Sequence, residues 1–84
     1  MLSNLENWDV VEDKAITRTF VLRDFKEALG FVNKVGNLAE RYNHHPDMHL
    51  VEYKKVKIVL TTHSAGGITE KDITLAKVVD KLSV

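Results

Sequence analysis

The longest helical pattern in this chain of 84 residues ends at its only proline, Pro46. Proline lacks a backbone donor and its ring clashes with the preceding helical turn, so a helix cannot run through it. Asn43, a plausible helix stop, lies just before it. The helix starts at Asp24, which forms a relaxed capping box with Glu27. Between these limits the apolar residues recur at helical spacing and predict one buried stripe: Phe25, Ala28, Leu29, Val32, Val35, Ala39 and Tyr42.

Two alternating stretches before this helix predict a β-hairpin. Trp8 to Val11 forms the first strand and Ala15 to Leu22 the second. In the second strand apolar and polar residues alternate, as in a half-buried strand. Arg18 is the exception, because it falls on the apolar face. The polar residues Glu12-Asp13-Lys14 predict the turn between the two strands.

After the helix the sequence predicts two more strands and a second helix. His49 to Tyr53 and Val56 to Thr62 are the strands, with a turn near Lys54-Lys55. The last helix has a strong start signal, because Thr69 occupies the N-cap and Asp72 the capping-box position. Its predicted buried side comprises Leu75, Ala76, Val79 and Leu82.

The resulting order is strand, strand, helix, strand, strand, helix. Two hairpins separated by a helix favour an α+β fold, in which a four-stranded antiparallel sheet carries the helices on one face as a two-layer sandwich. We expect residues 1–84 to form a single domain. The opposite sheet face must then be solvated or covered by another subunit. A chain of this size has little room for both a core and a deep pocket, so self-association is expected.

Composition excludes several classes of function. Twelve basic and twelve acidic residues cancel, and no basic run suggests direct nucleic-acid binding. The chain has no cysteine, so disulfides and thiolate chemistry are excluded. The N-terminal residues lack the basic start and apolar stretch of a signal peptide, and no apolar segment approaches the roughly 20 residues that span a bilayer. We therefore expect a soluble, cytoplasmic protein without a membrane partner.

Three histidines are the best candidates for chemistry. Imidazole has an unperturbed pKa of about 6.5, so it can donate and accept protons near neutral pH. His44 and His45 lie at the helix exit, and His63 ends the last predicted strand. If the last two strands pair as a hairpin, His63 returns towards the other two. The pattern thus predicts cofactor-free proton transfer in a shared pocket.

Each of these residues also has a simpler explanation. A histidine pair at a helix C-terminus can merely favour the helix dipole, and His63 can be an ordinary loop residue. Asp72 is already explained by capping. Three histidines with Asp47 or Asp72 also resemble a zinc ligand set. However, adjacent histidines seldom direct both rings at one ion, and no HExxH spacing is present, so we expect no metal.

A specific combination of residues resembles the pterin-4a-carbinolamine dehydratase family. The first part is Glu40 to Asp47, which contains the histidine pair and the proline. Tyr53 and Val56 follow in the predicted strands. The last part is Thr62 to Asp72, which contains Thr-His and the helix start Gly-Ile-Thr-Glu-Lys-Asp. The similarity extends over essentially the whole chain. Two of the departures are Met48, where many members have an aromatic residue, and Lys71, where arginine is frequent.

The resemblance implies dehydration of a 4a-hydroxytetrahydropterin to the quinonoid dihydropterin, without metal or organic cofactor. By this resemblance His44 and His63 act as general acids towards the hydroxyl, and His45 contacts the pterin and moves the N5 proton. Asp72 orients His63 through a hydrogen bond. The resemblance also implies a homodimer or homotetramer and four residues at the substrate pocket: Glu40, Pro46, Met48 and Thr62.

The alternative is a non-catalytic dimerisation or assembly module, such as a transcriptional cofactor or scaffold. The family resemblance allows it, because the same fold serves such roles and fold alone does not determine function. A scaffold has no reason to combine all three histidines with Asp72. Their joint presence favours the enzyme.

Overall fold

Strands and helices follow the predicted order within the part of the chain that the computed structural model describes, Leu5 and residues 7–82. This order confirms the α+β prediction. A short 3₁₀ helix, His63–Ala65, precedes the last helix. The strands are β1 Asp9–Val11, β2 Ala15–Val21, β3 Asp47–Val51 and β4 Lys55–Leu60, and the helices are α1 Phe25–Tyr42 and α2 Glu70–Asp80.

The strands form one antiparallel sheet in the order β1-β2-β4-β3. The two hairpins therefore lie side by side, with β2 against β4 in the centre. There Ile16 lies opposite Leu60 and Phe20 opposite Val56. Directly opposed residues in an antiparallel pair share a face, so these apolar side chains point inward together.

The second hairpin differs from the prediction in its turn. Glu52 and Tyr53 both have left-handed backbone angles, with φ of 49° and 55°, so the chain reverses there rather than near Lys54-Lys55. As a result β3 begins at Asp47, two residues before the predicted start at His49. Neither glutamate nor tyrosine is typical of left-handed turns, so the sequence carried no signal for this position.

The predicted end of the last strand was also wrong. β4 stops at Leu60, and Thr62 forms a separate bridge with Gly67 instead. The Thr62 amide donates to the Gly67 carbonyl at 2.9 Å. Consequently His63 does not end a strand but begins the 3₁₀ helix.

Both helices pack on the inward face of the sheet. α1 contributes Phe31, which the predicted stripe omitted, whereas Phe25, Leu29 and Tyr42 of that stripe are 43–50% exposed. The buried face is therefore narrower than the full apolar pattern. The principal buried core residues on sheet and helices are Ile16, Phe20, Val56, Ile58, Leu60, Ala28, Phe31, Val35, Ala39, Leu75, Ala76 and Val79.

Arg18, the charged exception on the inward face, has a defined partner. Its guanidinium donates to the carboxylate of Asp80 at 2.7 Å and lies 4.3 Å from the centre of the Phe20 ring. The indole N–H of Trp8 donates to the same carboxylate at 2.9 Å. Because Asp80 ends α2, this contact also offsets a negative charge at the unfavourable end of the helix dipole. No helix within the described ranges is both long and apolar enough to cross a membrane.

The two glycines of α1, Gly30 and Gly36, are not needed for close packing. A methyl group built at Gly30 meets no atom within 4 Å. Gly30→Ala should therefore raise the free energy of unfolding by about 1 kcal/mol, because alanine has the higher helix propensity. Chemical denaturation of the purified variant and of the unmodified protein measures this difference in the free energy of unfolding.

Gly66 supplies the matched control. Its φ of 71° lies in the left-handed region, where a side chain is strained. Gly66→Ala should lower the free energy of unfolding by about 1 kcal/mol. Equal effects of the two substitutions would contradict this account of the α1 glycines.

Candidate active site

The exit of α1 directs His44 towards the start of α2. Asn43 ends the helix in a left-handed conformation, with φ of 52°, and its amide and that of His44 both bond to carbonyls of the last turn. This reversal is a common helix C-terminus. His44 Nε2 then lies 2.5 Å from Oδ1 of Asp72. The His44 side chain is 11% exposed and that of Asp72 is fully buried.

The Asp72 carboxylate is bonded at both oxygens. Oδ2 accepts the hydroxyl of Thr62 at 2.8 Å and the backbone amide of Thr69 at 2.9 Å, which completes the predicted capping box. Oδ1 is left for His44. A buried carboxylate is tolerated only when it is fully hydrogen-bonded, and this one is. Asp72 thus joins the exits of α1 and β4 to the start of α2.

His63 does not have the partner that the family resemblance implied. The Asp72 carboxylate binds His44, and the exposed His63 ring makes no side-chain hydrogen bond to any residue that the structure describes. The reason is local. Thr62 is extended, with φ of −110° and ψ of 97°, and directs its own side chain at Asp72. Because successive side chains of an extended chain point in opposite directions, the side chain after Thr62 is not expected to share its direction towards the carboxylate.

His45 forms a second carboxylate–imidazole pair. Its Nε2 lies 2.5 Å from Oε2 of Glu40, and the side chains of His45 and Glu40 are 60% and 76% exposed. The two adjacent rings therefore occupy opposite environments: His44 is held in a buried network, and His45 is bonded in contact with solvent.

Two clefts meet at the first turn of α2. One has a volume of about 250 Å³ and is lined by Tyr42, His44, Glu70, Lys71 and Thr74. The other has a volume of about 490 Å³ and is lined by Thr62, Ser64, Ala65, Thr69, Glu70 and Lys71. Small-molecule sites are clefts of about this size.

The predicted pocket residues are distributed unevenly over these clefts. His44 lines the first and Thr62 the second, whereas the partly buried Met48 packs against the core. Glu40, Pro46 and Met48 stay predictions as substrate contacts, and His63 stays a prediction as a general acid. Sequence reasoning did not select Tyr42 as a pocket residue, although its position two residues before His44 could have indicated it.

The zinc hypothesis finds no ligand set among the residues that the structure covers. They contain no group of three or more histidine, aspartate or glutamate side chains that could hold a metal ion.

With this geometry in hand, comparison with known proteins establishes the family. The family described as pterin 4 alpha carbinolamine dehydratase matches residues 1–82, and the chain belongs to it. A relative from Rhodopseudomonas palustris (strain BisB18), named "Putative pterin-4-alpha-carbinolamine dehydratase", is 47% identical over 83 residues, which cover 98% of this chain and 81% of the relative.

Solved structures agree in fold. The crystal structure of a transcriptional coactivator/pterin dehydratase from Brucella melitensis has a TM-score of 0.86 and 39% identity, covering 94% of this chain and 84% of that one. A pterin dehydratase-like protein identified as a RuBisCO assembly factor in the alpha-carboxysome has a TM-score of 0.73 and 18% identity, covering 89% and 87%. At that identity the second comparison supports the shared fold only.

The buried carboxylate of Asp72 stabilises the fold, and its contribution to the free energy of unfolding can be measured. Asp72→Ala leaves the Thr62 hydroxyl, the Thr69 amide and the His44 ring without their acceptor. We expect the free energy of unfolding to fall by about 3 kcal/mol, from the lost cap and the unpaired polar groups. The neighbouring Glu70 is exposed, so Glu70→Ala should change it by less than about 0.5 kcal/mol. Similar losses for both variants in urea denaturation would contradict this role of Asp72.

Proposed function

We propose that this protein is a 4a-hydroxytetrahydropterin dehydratase, a carbon–oxygen lyase. The observation that supports the proposal most is the buried His44–Asp72 pair at the edge of a cleft, in a chain that belongs to the pterin dehydratase family. The pair supplies an imidazole held in one orientation, which general acid–base catalysis requires.

The proposed reaction is a balanced elimination of water. The C4a–oxygen bond of the substrate breaks, and the leaving hydroxyl takes up a proton to become water. The N5–H bond also breaks and its proton leaves, so that a C4a–N5 double bond forms in the quinonoid dihydropterin. Nothing is oxidised or reduced overall. Proton donors and acceptors are therefore sufficient, and no cofactor is needed.

Within this proposal the two adjacent histidines have different tasks. His44, held by Asp72, donates a proton to the hydroxyl, with His63 as a second donor. His45 removes the N5 proton, and its exposed contact with Glu40 allows that proton to pass to a carboxylate and to solvent. Positioned imidazoles typically accelerate such transfers by about 10²–10⁴-fold.

In this proposal two residues have roles that differ from those the family resemblance implied. Asp72 acts on His44 rather than on His63, since its carboxylate binds the His44 ring. Thr62 does not offer its hydroxyl to the substrate, because that group already contacts Asp72 and Thr69. Glu40, Pro46 and Met48 stay proposed substrate contacts.

The enzymatic proposal predicts that His45→Ala lowers the dehydration rate at least tenfold, because a positioned proton acceptor is lost. The measurement follows the loss of freshly generated 4a-hydroxytetrahydropterin by absorbance, with and without protein.

His49→Ala is the matched control, because His49 is exposed on β3 and lies opposite Lys57 in the sheet. We expect it to retain the rate of the unmodified protein. A folded sample that does not accelerate the spontaneous reaction would refute the enzymatic proposal, and it would favour the non-catalytic assembly module instead.

Self-association into a homodimer or homotetramer is also proposed. Apolar side chains on α1 are available for such contacts, because Phe25 is 50% exposed and Leu29 is 45% exposed. Sedimentation at micromolar protein concentration should show a mass of two or four chains. A single-chain mass across that range would contradict the expected assembly.

A further inference from the structure

A chain of hydrogen bonds leads from the first turn of α2 to the His44 ring. The Lys71 amide lies 3.3 Å from the Thr69 hydroxyl, which lies 2.8 Å from the Thr62 hydroxyl. The Thr62 hydroxyl lies 2.8 Å from Oδ2 of Asp72, and Oδ1 lies 2.5 Å from His44 Nε2. All five residues of this hydrogen-bond chain lie at the proposed site, because His44 lines one cleft, Thr62, Thr69 and Lys71 line the other, and Asp72 connects them.

The direction of each bond follows from counting protons. A carboxylate can only accept, so Thr62 must donate its single hydroxyl proton to Asp72. Thr62 then has only its lone pairs for Thr69, so the Thr69 hydroxyl donates to Thr62. The Thr69 oxygen in turn accepts from the Lys71 amide. With Asp72 as a carboxylate, both threonine hydroxyls in this hydrogen-bond chain therefore have a defined direction.

The same count determines the tautomer of His44. Because the Asp72 carboxylate cannot donate, the Nε2 atom of His44 carries a proton, and in the neutral ring the lone pair is on Nδ1. Nδ1 has no hydrogen-bond partner among the described residues, and none of their buried side-chain nitrogen or oxygen atoms lacks one. Nδ1 is therefore not buried, and it belongs to a side chain that lines a cleft with Tyr42 and Thr74.

We propose that Thr62 is a positioning residue that acts through Asp72, and that His44 exchanges its proton with the substrate through Nδ1. This inference rests on the proposed dehydratase function and adds the reacting atom to it. In the step itself, doubly protonated His44 transfers its Nδ1 proton to the departing hydroxyl, which leaves as water. The ring thereby becomes neutral, with its Nε2 proton still directed at Asp72.

Thr62 is distinguished from its neighbour by what it contacts. The Thr61 hydroxyl donates to the backbone carbonyl of Lys14 at 2.6 Å and takes no part in the chain. Thr62 is 7% exposed and reaches the carboxylate directly. Its hydroxyl and the Thr69 amide together hold Oδ2, so that Oδ1 keeps one direction towards His44.

The test combines tautomer and rate. Nitrogen NMR of protein labelled at histidine separates protonated from unprotonated ring nitrogens, and a His44→Gln spectrum identifies the His44 signals. Under conditions where the ring is neutral, the unmodified protein should carry the His44 proton on Nε2. Thr62→Val should give a mixture of tautomers and lower kcat about tenfold, which corresponds to roughly 1.4 kcal/mol, with little change in KM. Thr62→Ser keeps the hydroxyl, so it should show the single Nε2 tautomer and the kcat of the unmodified protein.

Thr61→Val is the matched control and should leave tautomer and rate unchanged. A neutral His44 ring whose proton is on Nδ1 in the unmodified protein would overturn the proposal without any reference to activity. So would a folded Thr62→Val protein with both the tautomer and the rate intact. If Thr62→Val does not fold, Thr69→Val takes its place in the test, because it removes the hydroxyl that precedes Thr62 in the same hydrogen-bond chain.

The result also separates this inference from the proposed function. A protein without dehydratase activity whose His44 tautomer still depends on Thr62 would refute the dehydratase while supporting the positioning by Thr62. An active protein whose His44 tautomer and rate do not change in Thr62→Val would support the dehydratase and refute the positioning by Thr62.

Discussion

The buried carboxylate of Asp72 is the interaction on which the arrangement of the site depends. A fully buried charge is costly unless its lone pairs are used, and here the hydroxyl of Thr62, the amide of Thr69 and the ring of His44 use them. These partners come from the exit of β4, the start of α2 and the exit of α1. Three chain segments that are remote in sequence must therefore meet at one point for the fold to be stable, and the candidate site is the place where they meet.

This coupling gives the two neighbouring histidines different physical properties. His44 is bonded within the interior, where the local environment strengthens each hydrogen bond and the ring loses its freedom. The pair formed by His45 and Glu40 lies in solvent, so water and salt screen it and both side chains can rearrange. One ring is suited to a fixed orientation and the other to exchanging protons with the surroundings. A single dipeptide at a helix exit supplies both because the left-handed Asn43 reverses the chain immediately before it.

Much of the fold could be predicted because its signals are local. The cap at Asp24, the stop at Asn43, the proline and the capping box of α2 each act within a few residues, and each is where the sequence indicated. The failures were also informative. The left-handed Glu52 and Tyr53 lack the residue types that mark such turns, so the start of β3 was placed two residues late. Apolar spacing alone could not separate the buried and exposed parts of the α1 stripe, since both repeat at the same helical period.

The amino-acid sequence by itself determined the order of strands and helices, the ends of the helices, the family resemblance and the identity of the polar residues at the site. Those properties follow from backbone sterics, capping and side-chain chemistry, which need only near neighbours. The tertiary structure alone decided that Asp72 binds His44 rather than His63, and that Thr62 serves the carboxylate. Asp72 lies 28 positions after His44 in the sequence. Whether His44 or His63 reaches its carboxylate depends on where β4 ends and on the direction in which an extended residue points its side chain. A shift of one residue along a strand moves each side chain to the opposite face, so only the packed sheet and helices determine which side chains meet.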